Sequence, residues 1–136
     1  MPVPITGLYA ALLAVVMLTL MVRVARMRVR TGVSILHGDN MNLARAMRQH
    51  GNFIEAVPLA LILMAVVEAN GANSILLHAN GIVLLVARIA HPFGLTIKGV
   101  EHPLRAVGVV GTLLVTLVLA GAALWQAVMA IQQPAP

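Results

Sequence analysis

The sequence predicts an all-α integral membrane protein: one four-transmembrane-helix bundle formed by residues 1–136. Three observations carry that expectation. First, 60% of the 136 residues are hydrophobic, only 10% are charged, and the mean hydropathy is +0.96. A soluble domain carries about 25% charged residues, and a short one has too little interior to hide so much apolar surface. Second, a spanning helix takes ~20 residues, so the chain has room for four spans and short connections. Third, the basic residues gather in alternate connections, which is the mark of membrane topology.

Span one is expected over residues 5–22, after Pro2 and Pro4. A signal peptide has its positive charges before the apolar core. Here Arg23, Arg26, Arg28 and Arg30 follow the core, which predicts an uncleaved helix with its far end in the cytoplasm. A polar connection with Gly32, Gly38 and Asp39 leads to span two, residues 41–68. Its first half is polar (Arg45, Arg48, Gln49, His50, Asn52, Glu55) and its second half apolar. Asn70-Gly71 marks a tight turn. Span three, residues 73–95, is apolar except for His78, Asn80, Arg88 and His91. A connection with Lys98, Gly99 and Glu101 precedes Pro103, a favoured first-turn residue for span four, residues 103–131. The last few residues, through Pro136, are expected to be a tail.

The region 23–48 holds six arginines, and 98–105 one lysine and one arginine, while the Asn70-Gly71 turn has no basic residue. The positive-inside rule then puts the first and third connections in the cytoplasm and both termini on the other side. The net charge of +5 reads as topology and attraction to anionic headgroups rather than as a nucleic-acid interface. There are no cysteines, so disulfides, thiolate metal sites and a cysteine nucleophile are excluded. His37, His50 and His102 lack metal-ligand spacing.

Ionisable residues inside spans are costly and need a reason. At 100° per residue, Arg45, Arg48, Asn52 and Glu55 fall within an arc of about 80° on span two, and Asn80, Arg88 and His91 within a similar arc on span three. Arg88, His91 and Arg105, which opens span four, share the membrane half of the span-two stripe. Two readings follow. One is a cationic, amide-lined pocket: arginine forks bind carboxylates, Glu55 suits an ammonium, and a ligand with two carboxylates and one amine matches that inventory. The other is internal glue, with Glu55 paired to Arg48 or Arg88, Asn52 bonding between helices, and the outer arginines snorkelling. Pro58 leaves the carbonyl of Ile54 without its helical partner. Gly108, Gly111 and Gly121 read as close-packing positions.

The span-two string Arg48-Gln49-His50-Gly51-Asn52-Phe53-Ile54-Glu55-Ala56-Val57-Pro58, with four short spans and a basic first connection, resembles the MAPEG family, the membrane-associated proteins in eicosanoid and glutathione metabolism. Arg88-Ile89-Ala90-His91 is similar to an Arg-x-x-His of the prostaglandin synthase branch, and His102-Pro103-Leu104-Arg105 to its Pro-x-Arg opening of span four. The resemblance covers essentially the whole chain. It implies a homotrimer that binds glutathione between subunits. The implied glutathione contacts are Arg28, Arg48, Asn52, Glu55, Arg88 and His91, and Arg105 would stabilise the thiolate. The implied activity is that of a glutathione transferase or peroxidase acting on lipophilic small molecules or lipid hydroperoxides. The alternative is a non-catalytic binding or scaffold protein of the same fold. The departures are Leu95 where the synthase branch has a tyrosine, Gly51 before Asn52, and few aromatic residues near the cytoplasmic half beyond Phe53 and Phe93. The pattern is closest to bacterial members, which implies a bacterial inner membrane.

Overall fold

The computed structural model describes residues 1–96 and 102–132. Lys98, Gly99 and Glu101 of the third connection, and the tail after Gln132, lie outside the described residues. The chain forms α1 (Pro4–Thr31), α2 (Met41–Ala69), α3 (Ser74–Gly94) and α4 (Pro103–Gln132). All four are long and apolar enough to cross a membrane.

Three of these helices follow the expected spans closely. α1 instead continues past Val22 through the arginines to Thr31. Arginine is a good helix former, and its long side chain lets a helix outrun the hydrocarbon while the guanidinium reaches headgroups. Gly32, at φ 67°, ends α1 in the left-handed conformation that lacks a penalty only for glycine. Arg28 then folds back on the connection. Its Nη1 donates to the carbonyls of Val33, Ser34 and Leu36 at 3.2, 3.0 and 3.1 Å, and its Nη2 lies 3.4 Å from Met47 Sδ. Asn40 Oδ1 accepts from Leu43 N at 3.0 Å and caps α2, and Asn73 Oδ1 accepts from Ile75 N at 2.7 Å and caps α3.

The core is an apolar column including Leu13, Phe53, Met64, Leu77, Leu84 and Leu119. Many other large apolar side chains, such as Leu18, Ile62, Val86 and Leu117, face outward. That inversion suits lipid contact, because helices satisfy their backbone internally and leave only side chains for the surroundings.

α3 packs most extensively against α4. A Cβ on Gly94 would overlap the backbone of Arg105, and one on Gly108 would overlap the His91 side chain. A Cβ on Gly111 would come within 2.9 Å of Ala87 Cβ. These absent side chains let the two backbones approach. Gly121 differs from the expectation: it has open space around it and packs against nothing within 4 Å.

At the opposite end of the bundle, Glu68 closes the N-terminus of α1. Its two carboxylate oxygens accept from Ile5 N at 2.8 Å and Thr6 N at 2.7 Å. A carboxylate there satisfies free backbone donors and meets the positive end of the helix dipole. Beside it, the Tyr9 hydroxyl lies 3.1 Å from His78 Nδ1, and the Tyr9 ring lies where a Cβ on Gly81 would be. Replacing Glu68 with Ala should lower stability by about 1–2 kcal/mol. Gly81→Val should lower it by about 1–3 kcal/mol through overpacking. Both losses are readable as lower unfolding midpoints of the detergent-solubilised protein.

Candidate functional site

The polar stripe of α2 divides once the helices are packed. Asn52 turns toward α3, where its Oδ1 accepts from Arg88 Nη1 at 3.1 Å. Arg48 and Glu55 stay on the outer surface and pair with each other at 3.1 Å, their side chains 63% and 58% exposed. Gly51 lies beneath that pair: a Cβ there would sit 3.8 Å from Glu55 Oε1 and 3.9 Å from Arg48 Nη1, an ordinary contact. Arg45 leaves the group and faces α1.

Arg88 is the most deeply placed charge, only 2% exposed. Besides Asn52 it bonds the Gly108 carbonyl on α4, which also accepts from Thr112 Oγ1 at 2.8 Å. Its Nε is buried and has no hydrogen-bond partner. Both of its acceptors are neutral. Among the described residues the only ion pair is Arg48–Glu55, and none of them sets a carboxylate against the Arg88 guanidinium. A buried charge without a counter-charge is expensive. The contacts formed are those the internal-glue reading names, Glu55 with Arg48 and Asn52 bonding across to Arg88; the buried Nε of Arg88 is what they leave unmet.

His91, also buried, packs against α4 at Gly108. Arg105 is half-buried in the first turn of α4, held close by the Gly94 contact. Arg48, Asn52, Glu55, Arg88, His91 and Arg105 thus lie toward one end of the bundle, and these six residues set three guanidiniums against one carboxylate. The face carrying Arg48 and Glu55 is open to the outside of the protomer. Arg28 stands apart, its guanidinium spread over the connection carbonyls. Such a cluster can bind an anion with more than one acidic group and can stabilise negative charge as it develops.

Gln49 was visible in the sequence only as one polar residue among several. It is 3% exposed. Its Nε2 donates to the Pro92 carbonyl at 2.6 Å and its Oε1 accepts from Arg23 Nη1 at 2.7 Å, so it joins α1, α2 and α3. The signal was the end of α3 at Gly94: the last carbonyls of a helix need outside donors, and Gln49 supplies one.

The MAPEG family model matches residues 6–125. The chain is also 38% identical over 90 residues to the inner membrane protein YecN of Escherichia coli strain K12, covering 66% of this chain and 69% of that protein. YecN of Escherichia coli O6:H1 matches with the same identity and coverage.

Removing the Asn52 amide while Arg88 stays buried should leave Nη1 unpaired, so Asn52→Ala should destabilise by about 1–3 kcal/mol. Arg48→Ala, which breaks only an exposed pair, should change stability by less than about 1 kcal/mol. Thermal unfolding of the two variants side by side tests that order.

Proposed function

The chain belongs to the MAPEG family, and on that premise we propose that it binds glutathione at the Arg88 cluster and activates its thiol. The observation that carries the reading is the buried Arg88, whose charge meets only neutral acceptors, and whose Nε has no partner, among the described residues. Glutathione has two carboxylates and one ammonium. The carboxylates suit Arg48 and Arg88, the ammonium suits Glu55, and Asn52 and His91 add polar contacts. Arg28 could join only by giving up its connection carbonyls. The open face at Arg48 and Glu55 suits completion of the site by a neighbouring protomer in a homotrimer. The YecN relatives are inner membrane proteins by name, and the arginine distribution favours the cluster on the cytoplasmic side with both termini opposite.

When bound, glutathione supplies a thiol whose thiolate is the nucleophile or reductant. A free thiol has a pKa of about 8.5, so little thiolate is present at neutral pH. Arg105, half-buried and without a carboxylate partner among the described residues, is placed to favour the charged form. Lowering the thiol pKa by about two units takes about 2.7 kcal/mol of differential interaction. The partners of that thiolate would be lipophilic electrophiles or lipid hydroperoxides arriving from the bilayer, as in a glutathione transferase or peroxidase.

One observation favours a second reading, a binding protein without turnover. The only tyrosine, Tyr9, is engaged with His78 at the far end of the bundle, so no phenolic hydroxyl assists at the cluster.

Calorimetry with glutathione tests the pocket. Wild-type protein should bind, and Arg48→Ala and Glu55→Gln should each weaken binding about tenfold, the size of a lost charge-assisted bond. No binding by an intact protein at millimolar glutathione would reject the reading. Arg105→Leu should reduce the ultraviolet absorbance of bound thiolate more than it reduces binding. Equal losses would remove Arg105 from thiolate stabilisation. Turnover of electrophiles or hydroperoxides then separates the enzyme from the binding protein.

A further inference from the structure

A second cationic feature lies away from Arg88. Between α1 and the start of α2 is a groove of about 810 Å³. Its floor includes Val15, Leu18 and Val22, and its rim carries Arg23, Arg26 and Arg30 of α1 and Arg45 of α2. No acidic residue lines it. Among the described residues none of the four arginines has a carboxylate partner. Arg23 is held by Gln49. Arg26 and Arg30 are exposed. Arg45 has its Nε buried with no hydrogen-bond partner.

The spacing of these residues orders the groove. Val15, Leu18, Val22, Arg26 and Arg30 recur at three or four residues, so they share one face of α1. That face is apolar first and cationic afterwards. From Val15 to Arg26 the helix rises roughly 16 Å, about half the ~30 Å hydrocarbon core. The groove therefore offers an apolar track the depth of one leaflet, ending in guanidiniums at headgroup level. A small free anion would use the rim and leave the track without a purpose. An acidic amphiphile uses both.

We propose that this groove binds an anionic phospholipid, with its phosphodiester among Arg26, Arg30 and Arg45 and an acyl chain along Val15, Leu18 and Val22. Guanidinium forks match phosphate oxygens, and basic pockets between helices at the membrane surface select acidic headgroups. The proposal goes beyond the glutathione reading and does not depend on it, since the lipid-contacting residues named for it are not those of the Arg88 cluster.

The test is lipid retention by native mass spectrometry, with protein delipidated in detergent and offered phosphatidylglycerol or phosphatidylcholine. Wild-type protein should retain phosphatidylglycerol preferentially. The combined variant Arg26→Gln, Arg30→Gln and Arg45→Gln should lose that preference, by about fivefold per arginine removed, while Arg48→Gln keeps it. If the combined variant does not fold, Arg26→Gln with Arg30→Gln alters only exposed side chains and should lose most of the preference. Equal retention of the two lipids, or unchanged preference in these variants, overturns the proposal. Displacement of phosphatidylglycerol by equimolar glycerol phosphate would also overturn it, because the arginines would then be reading a free anion.

Discussion

The arrangement depends on one guanidinium. Arg88 sits inside a bundle built of apolar helices and holds Asn52 of α2 with one nitrogen and the Gly108 carbonyl of α4 with another. A charge at such a position is tolerated only where polar groups surround it. Here they come from two helices other than its own, so burying Arg88 and packing α2, α3 and α4 are the same event. What remains after that packing is a charge with its hydrogen bonds partly met and, among the described residues, no carboxylate against it. Structural demand and readiness for an anion therefore reside in the same side chain.

That geometry relies on what is absent as much as on what is present. Gly108 offers its carbonyl to Arg88 because no side chain holds α4 away from His91, and Gly94 lets the first turn of α4 lie against the end of α3. The same close approach sets the first turn of α4, which carries Arg105, beside the end of α3, which carries His91. Small residues therefore do more than fasten two helices. They set the depth at which the arginines of α3 and α4 meet. Gln49 performs a comparable service on the other side, taking the Pro92 carbonyl that the end of α3 leaves free and tying it to Arg23.

The helices were legible because apolar run length and Pro and Asn-Gly punctuation are local properties, and Pro103 stands at a helix start as its chemistry requires; the caps Asn40 and Asn73 emerged only in the structure. The convergence of Arg88, His91 and Arg105 on one end was legible too, since depth along a helix follows from counting. Direction was not. An arc on a helical wheel groups Arg45 with Asn52, yet one faces α1 and the other α3, because which neighbour fills each side is decided by packing. The roles of Gln49 and Glu68 were hidden for a related reason. Each bonds backbone groups of a helix distant in sequence, and backbone groups leave no mark in a residue string. The resemblance set Arg28 apart from Arg26 and Arg30 as a glutathione contact, whereas the left-handed turn at Gly32 brings the connection carbonyls onto it.

The Glu68 carboxylate has a bearing on how the chain reaches its membrane. The first amides of α1 find their acceptor at the far end of α2, some sixty residues later. Until that stretch has been made, the first amides of α1 have no acceptor but water. Glu68 in turn would travel as a bare carboxylate if α2 inserted without a partner. Each helix supplies what the other lacks, so α1 and α2 close as one hairpin, and the acid that looks like an impurity at the end of an apolar run is its latch.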